Sequence, residues 1–134
     1  MNNMAQLKEL TYDEKDLILP KVILLLRTKT DKDNPYLAPK IVDSINYYKE
    51  RIGFTCTFNE ARLRKIINYI RDNGLAPLLS NSNGYWYDAD PSAIVLIAIS
   101  MESRANSIKA AAKGLRRLAQ EIINEKTDPL GIDL

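Results

Sequence analysis

The sequence predicts a mainly α-helical protein with one small β-hairpin and a long C-terminal helix. Three observations carry this prediction. Residues 59–73, NEARLRKIINYIRDN, put Leu63, Ile66, Ile67 and Ile70 on one stripe of a helix. Asn83-Gly84, the strongest two-residue turn signal in the chain, directly precedes Tyr85, Trp86 and Tyr87, which have high strand propensity. Residues 91–126 then repeat Ile94, Met101, Ile108, Leu115 and Ile122 at every seventh position.

A chain of 134 residues, 46% hydrophobic and 27% charged, is large enough for one domain with extensions and too apolar to be disordered. Its formal net charge is only +2, so any basic footprint must come from clustering. The charge is segregated. Residues 1–16 hold Lys8 and Lys15 against Glu9, Asp13, Glu14 and Asp16. Residues 51–72 hold Arg51, Arg62, Arg64, Lys65 and Arg71 against Glu60 and Asp72. Residues 103–120 hold Arg104, Lys109, Lys113, Arg116 and Arg117 with no acid. Two basic zones on a near-neutral chain suit an electrostatic patch.

Other function classes are disfavoured. The single cysteine, Cys56, cannot pair within the chain, which suits a reducing cytoplasm. The start, MNNMAQLKEL, lacks a basic segment followed by an apolar run and does not read as a signal peptide. The apolar runs at 22–26 and 94–99 are too short to span a bilayer, so no membrane partner is expected. No histidine is present, which removes imidazole-dependent triads and metal sites. There is no Gly-rich phosphate loop, CxxC, HExxH or GxSxG, and the carboxylates are scattered singly. The expectation is a protein that is not an enzyme and uses no cofactor.

Taken in order, residues 1–19 read as a partly helical N-terminal extension, with Met4, Leu7 and Leu10 as a weak apolar pattern. Thr11 and Glu14 have capping-box spacing. Pro20 should break or restart whatever precedes it, and a new helix is expected from Pro20 to about Arg27. For its VILLL core a buried strand is the competing assignment, because periodicity does not separate the two in so short a run. Residues 28–39 are a polar loop with two prolines, with room for a short strand at 36–38. Residues 40–51 read as a helix with Ile41, Ile45, Tyr48 and Ile52 on one face, ended by Gly53. Residues 54–57 form a connector.

Asn59 is then an N-cap, Phe58 and Leu63 have the spacing of a hydrophobic staple, and Gly74 is the expected left-handed stop. With Asn83-Gly84 as the central pair of a type I′ turn, Ser82 faces Tyr85, Asn81 faces Trp86 and Ser80 faces Tyr87. Asp90-Pro91 opens the last helix, about 50 Å long at 1.5 Å per residue. Ile97, Ala111 and Leu118 fill its d-type positions and Arg104 does not, while Ala98, Ala105, Ala112 and Ala119 make a parallel small-residue stripe. The domain of residues 20–90 is too small to cover this helix, so residues 91–126 are expected to dimerise; the alternative is cover by the N-terminal helix. Residues 127–134 read as a flexible tail.

The candidate functional face lies on the 59–73 helix. Ala61, Lys65, Asn68 and Asp72 lie opposite the apolar stripe, with Arg64 and Arg71 on one flank and Arg62 and Tyr69 on the other. Arginine can bind guanine in bidentate fashion and asparagine can bind adenine in a major groove. The plain alternative is a solvated basic face on an ordinary surface helix. The aromatics of the hairpin likewise have a packing role as their alternative.

Residues 61–90, ARLRKIINYIRDNGLAPLLSNSNGYWYDAD, resemble winged-helix proteins common in phages and mobile elements. Their pattern is an Arg-rich recognition helix ending in "LR..G.PI.S...GY", a wing and a long trailing helix. Arg64, Ile67, Ile70, Arg71, Gly74, Pro77, Ser80, Gly84 and Tyr85 carry the match, with one extra residue between Gly74 and Pro77. The resemblance implies a winged helix-turn-helix over residues 20–90. It implies a DNA face of Arg62, Arg64, Lys65, Asn68 and Arg71, with wing residues Asn81, Ser82, Asn83 and Tyr85 beside the phosphates. The expected function is non-enzymatic binding of double-stranded DNA by a homodimer, as a replication or recombination accessory or a transcriptional regulator. The alternative is a winged-helix module that docks proteins without binding DNA.

Overall fold

The computed structural model describes residues 10–126. It is mainly helical with one two-stranded antiparallel hairpin. A π-helical turn, Glu14–Ile18, runs directly into α1, Leu19–Leu26. Then come α2, Ala38–Tyr48, α3, Glu60–Asp72, β1, Leu78–Asn81, β2, Gly84–Tyr87, and α4, Pro91–Lys126. The chain forms two compact units, one ending at Ile94 and one beginning at Val95. The weak apolar pattern before Leu10 and the tail at 127–134 lie outside the described residues.

A new α-helix does start at Pro20 as expected, with the proline in its first turn, but it follows the preceding segment without a break. Thr11 and Glu14 do close a capping box: Thr11 N–H donates to Glu14 Oε1 (2.9 Å) and Glu14 N–H donates to Thr11 Oγ1 (3.2 Å). Proline does not then break the segment. The Leu19 N–H instead reaches back five residues to the Glu14 carbonyl, widening the turn before Pro20 enters the first turn of α1. A wider turn accommodates a ring that would collide with the carbonyl four residues back in a regular α-helix. The VILLL run is helical, not a strand, and buries Val22 and Leu26 while Leu24 faces solvent. Residues read as an extension therefore supply Glu14, Ile18 and Leu19 to the buried interior.

The core is contiguous. It joins Ile18, Val22 and Leu26 of the first segment to Ile41 and Ile45 of α2, and to Leu63, Ile66, Ile67 and Ile70 of α3. Phe54 and Phe58 of the connector and Leu78 of β1 complete it. The α3 apolar stripe read from the sequence is thus the stripe that is buried. Its ends follow local chemistry. Asn59 Oδ1 accepts the Arg62 N–H (3.0 Å), and the staple pair Phe58 and Leu63 is buried. At the other end Gly74 has φ 61°, and the Leu75 N–H closes back on the Ile70 carbonyl (2.9 Å).

The hairpin differs from expectation in register. Asn81 pairs with Gly84, Ser80 with Tyr85, Leu79 with Trp86 and Leu78 with Tyr87. The two tip residues are therefore Ser82 and Asn83, not Asn83 and Gly84. Among the described residues no non-glycine residue has positive φ, so the type I′ turn that needs it at Asn83 is absent. Two contacts explain the choice. Asn81 Oδ1 accepts the Asn83 N–H (2.8 Å), an Asx turn that closes the tip one pair earlier. Gly84 is used where another backbone passes close by: Tyr36 bridges Tyr85 through N–H to O bonds of 2.7 and 2.9 Å. The strand-like stretch anticipated near Tyr36 is thus a single bridge residue on the edge of β2.

The two glycines should respond differently to substitution. A Cβ on Gly84 would lie 2.5 Å from the Tyr36 carbonyl oxygen, whereas one on Gly74 would meet nothing within 4 Å. Gly74→Ala should cost about 1 kcal/mol for its left-handed backbone alone. Gly84→Ala should cost about 2 kcal/mol or more, because backbone must move. Chemical denaturation of the two variants checks the order, and an equal or reversed pair of losses would refute this account of the hairpin.

Candidate nucleic-acid interface

The exposed strip of α3 runs through Ala61, Arg64, Asn68 and Asp72, with Glu60 beside it at the helix start. Arg64 and Asn68 carry no side-chain hydrogen bond or ion pair within the described residues, so both heads are available to a partner. Ala61 leaves the surface low near the N-terminal end of the strip. The polar hairpin tip, Asn81, Ser82 and Asn83, is also exposed. Between that tip, residues 37–39 and Glu60 lies an open groove of about 310 Å³. No sequence signal pointed to this groove, because it forms only where the start of α2 meets the hairpin.

The other basic residues of α3 are engaged within the fold. Lys65 Nζ donates to Glu14 Oε1 at 2.9 Å, and Arg62 Nε lies 3.8 Å from Glu14 Oε2. Both basic side chains are 32% exposed, whereas Glu14 is 1% exposed. Arg62 Nη1 also donates to the Thr57 carbonyl (3.0 Å), and its guanidinium lies over the Phe54 ring at 5.3 Å. Arg71 turns towards the hairpin: Nε donates to the Leu78 carbonyl (2.8 Å) and Nη2 to Ser80 Oγ (2.9 Å). Tyr85 is half-buried against the core and holds the Tyr36 bridge with its backbone. The structure therefore brings Arg64, Asn68, Asn81, Ser82 and Asn83 to solvent, and gives Arg62, Lys65, Arg71 and Tyr85 structural contacts.

Glu14 is the residue that reading the sequence by windows missed. Its capping role was visible three residues away, but its ion-pair role depends on Lys65. Burial by itself would raise its pKa. The Thr11 N–H bond, then the Lys65 ammonium and the Thr11 hydroxyl, outweigh that and hold the carboxyl below its ordinary range.

Because the folded-state pKa is lowered, Glu14 contributes stability that is fully present above the unfolded value of about 4.3 and is lost as pH falls through the folded value. Glu14→Gln should therefore be less stable than the parent at pH 7, and the gap should narrow below about pH 4. Lys65→Met should cost about 2 kcal/mol at pH 7, less than the loss from a fully buried pair because the ammonium is partly solvated. Urea denaturation across pH checks both, and a parent–Glu14→Gln gap that is the same at pH 7 and pH 3 would refute the ion-pair account.

Among the described residues no helix is long and apolar enough to cross a membrane, and no group of three or more metal-ligating side chains gathers. Comparison with protein-family models, curated proteins and solved structures gives no match to this chain.

Proposed function

We propose that this chain is a winged-helix protein that binds double-stranded DNA through α3 and the hairpin tip, and that its long helix brings two copies together. The element order supports the winged-helix reading: a helix, a bridge residue, two further helices, and a hairpin whose second strand the bridge residue borders. In that arrangement α3 is the recognition helix and the hairpin is the wing. The observation that carries the reading is the open pair on the exposed strip of α3, Arg64 and Asn68, one turn apart with Ala61 beside them. An arginine and an asparagine so placed can read guanine and adenine edges. Asn81, Ser82 and Asn83 can donate to backbone phosphates, which position the protein without specifying sequence.

One observation favours a second reading, a module that docks proteins and not DNA. With Arg62 and Lys65 paired to Glu14 and Arg71 bonded to the hairpin, the exposed strip has one arginine against Glu60 and Asp72. Such a strip attracts phosphate weakly.

The two readings part in a binding experiment. Selection from a pool of random-sequence duplexes should yield a preferred site, and fluorescence anisotropy on that site should show affinity that falls with salt. Arg64→Ala and Asn68→Ala should each weaken binding by about 1–3 kcal/mol if they touch bases. Lys65 should stay intact in these variants, because its removal would leave Glu14 unbalanced. Binding that is absent, or indifferent both to salt and to Arg64→Ala, would reject the DNA reading in favour of protein docking.

A further inference from the structure

We propose that α4 pairs with α4 of a second copy in antiparallel order, about a two-fold axis beside Lys109 and Ala110. This rests on the self-association reading above and adds the order of the helices. The 36-residue helix buries none of its residues. Met101, Ile108, Leu115 and Ile122 are all exposed at seven-residue spacing, with Ile108 at 69% and Leu115 at 67%. A seven-residue apolar repeat on a straight helix is the pattern that a neighbouring helix covers.

The seam itself selects the order. Ile94, Met101, Ile108, Leu115 and Ile122 occupy its a positions, and Ile97, Arg104, Ala111, Leu118 and Glu125 its d positions. In a parallel pair each d residue meets its own copy. Arg104 then faces Arg104, Glu125 faces Glu125, and Ala111 opposite Ala111 leaves a gap. In an antiparallel pair a positions face d positions. Ile97 meets Ile122, Met101 meets Leu118, and Ile108 fills the space over Ala111. Arg104 meets Leu115, over which its methylene stem can lie while the guanidinium reaches water. Glu125 moves to the end of the seam opposite Ile94.

The flanks agree with close packing in this order. Ala98 lies near Ala119 and Ala105 near Ala112 on one side, and Ser107 lies near Gly114 on the other. Each pairing occurs twice, related by the two-fold axis, as an interface between identical copies requires. That self-complementarity is the reason the occupant is a second copy of this chain.

The test uses the full chain with Cys56→Ser, which removes the exposed native thiol. Sedimentation should give the mass of a dimer. Ala105→Cys mixed with Ala112→Cys should oxidise to a disulfide-linked dimer at least several-fold more than either variant alone. A spin label on Gln120→Cys, outside the seam, should report two labels about 30 Å or more apart, because antiparallel order offsets them by 21 residues along the axis. Self-crosslinking of Met101→Cys, or Gln120 labels within about 20 Å, would indicate parallel order and overturn this proposal while leaving self-association standing. A monomer at every concentration would overturn both.

Discussion

Glu14 lies almost wholly out of water, yet it carries a charge that must be balanced. The Thr11 N–H, the Lys65 ammonium and the nearby Arg62 guanidinium balance it. A buried carboxylate stripped of its partner is strongly destabilising, so the first helical segment and α3 are held together by charge as well as by the apolar contacts of Ile18 and Val22. The same contact orients α3. With Lys65 and Arg62 drawn to one side and Arg71 drawn to the hairpin on the other, the strip through Arg64 and Asn68 is the part left outward. The position of the candidate site is therefore a consequence of where the helix spends its other cations.

That division also explains what the sequence could and could not reveal. The capping box at Thr11, the Asn59 cap, the Phe58–Leu63 staple and the Gly74 stop were all legible, because each is satisfied within a few residues along the chain. The apolar stripe of α3 was legible because periodicity reports which side faces a core. Lys65 and Glu14 are 51 positions apart, and no local pattern announces their pairing. The hairpin register failed for a related reason. Asn83-Gly84 is a strong turn signal in isolation, but the Tyr36 backbone needs a residue without a side chain beside it. A long-range contact thus claimed the glycine that local propensity had assigned to the tip. The helix start at Pro20 was legible from the proline itself, whereas the widened turn that joins it to the preceding segment was not.

Counting charges along a window therefore overstated the basic character of the α3 surface. Arg62 and Lys65 count fully in the sequence, but the Glu14 carboxylate between them cancels part of their field, while Arg71 keeps its charge and has donors committed to the Leu78 carbonyl and the Ser80 hydroxyl. Arg64 remains as an unengaged cation of the strip, between Glu60 and Asp72. Non-specific attraction to duplex DNA grows with the number of phosphates neutralised, so one such strip supplies little of it. What the strip does offer is directional: a planar arginine fork and an asparagine amide on a helix fixed at both ends by its caps. Those features discriminate between bases better than they provide raw affinity.

A weakly attractive but directional surface gains most from being presented twice. Linking two modest contacts converts the second into an intramolecular event, and the combined affinity can exceed either alone by orders of magnitude without any new contact. The proposed pairing of the long helix would meet that need, since the helix buries none of its residues and exposes Met101, Ile108, Leu115 and Ile122. The seam also limits its own strength. Arg104 and Ala111 interrupt the d positions, and the small residues beside them shorten the distance between helices without adding much apolar area. In the proposed pair such a seam would favour one helix order over the alternatives more than it maximises stability, as a polar residue in a coiled-coil core does. If α3 reads DNA and α4 pairs as proposed, both contacts favour selectivity over binding strength, and pairing of copies is what would bring the α3 contacts to useful affinity.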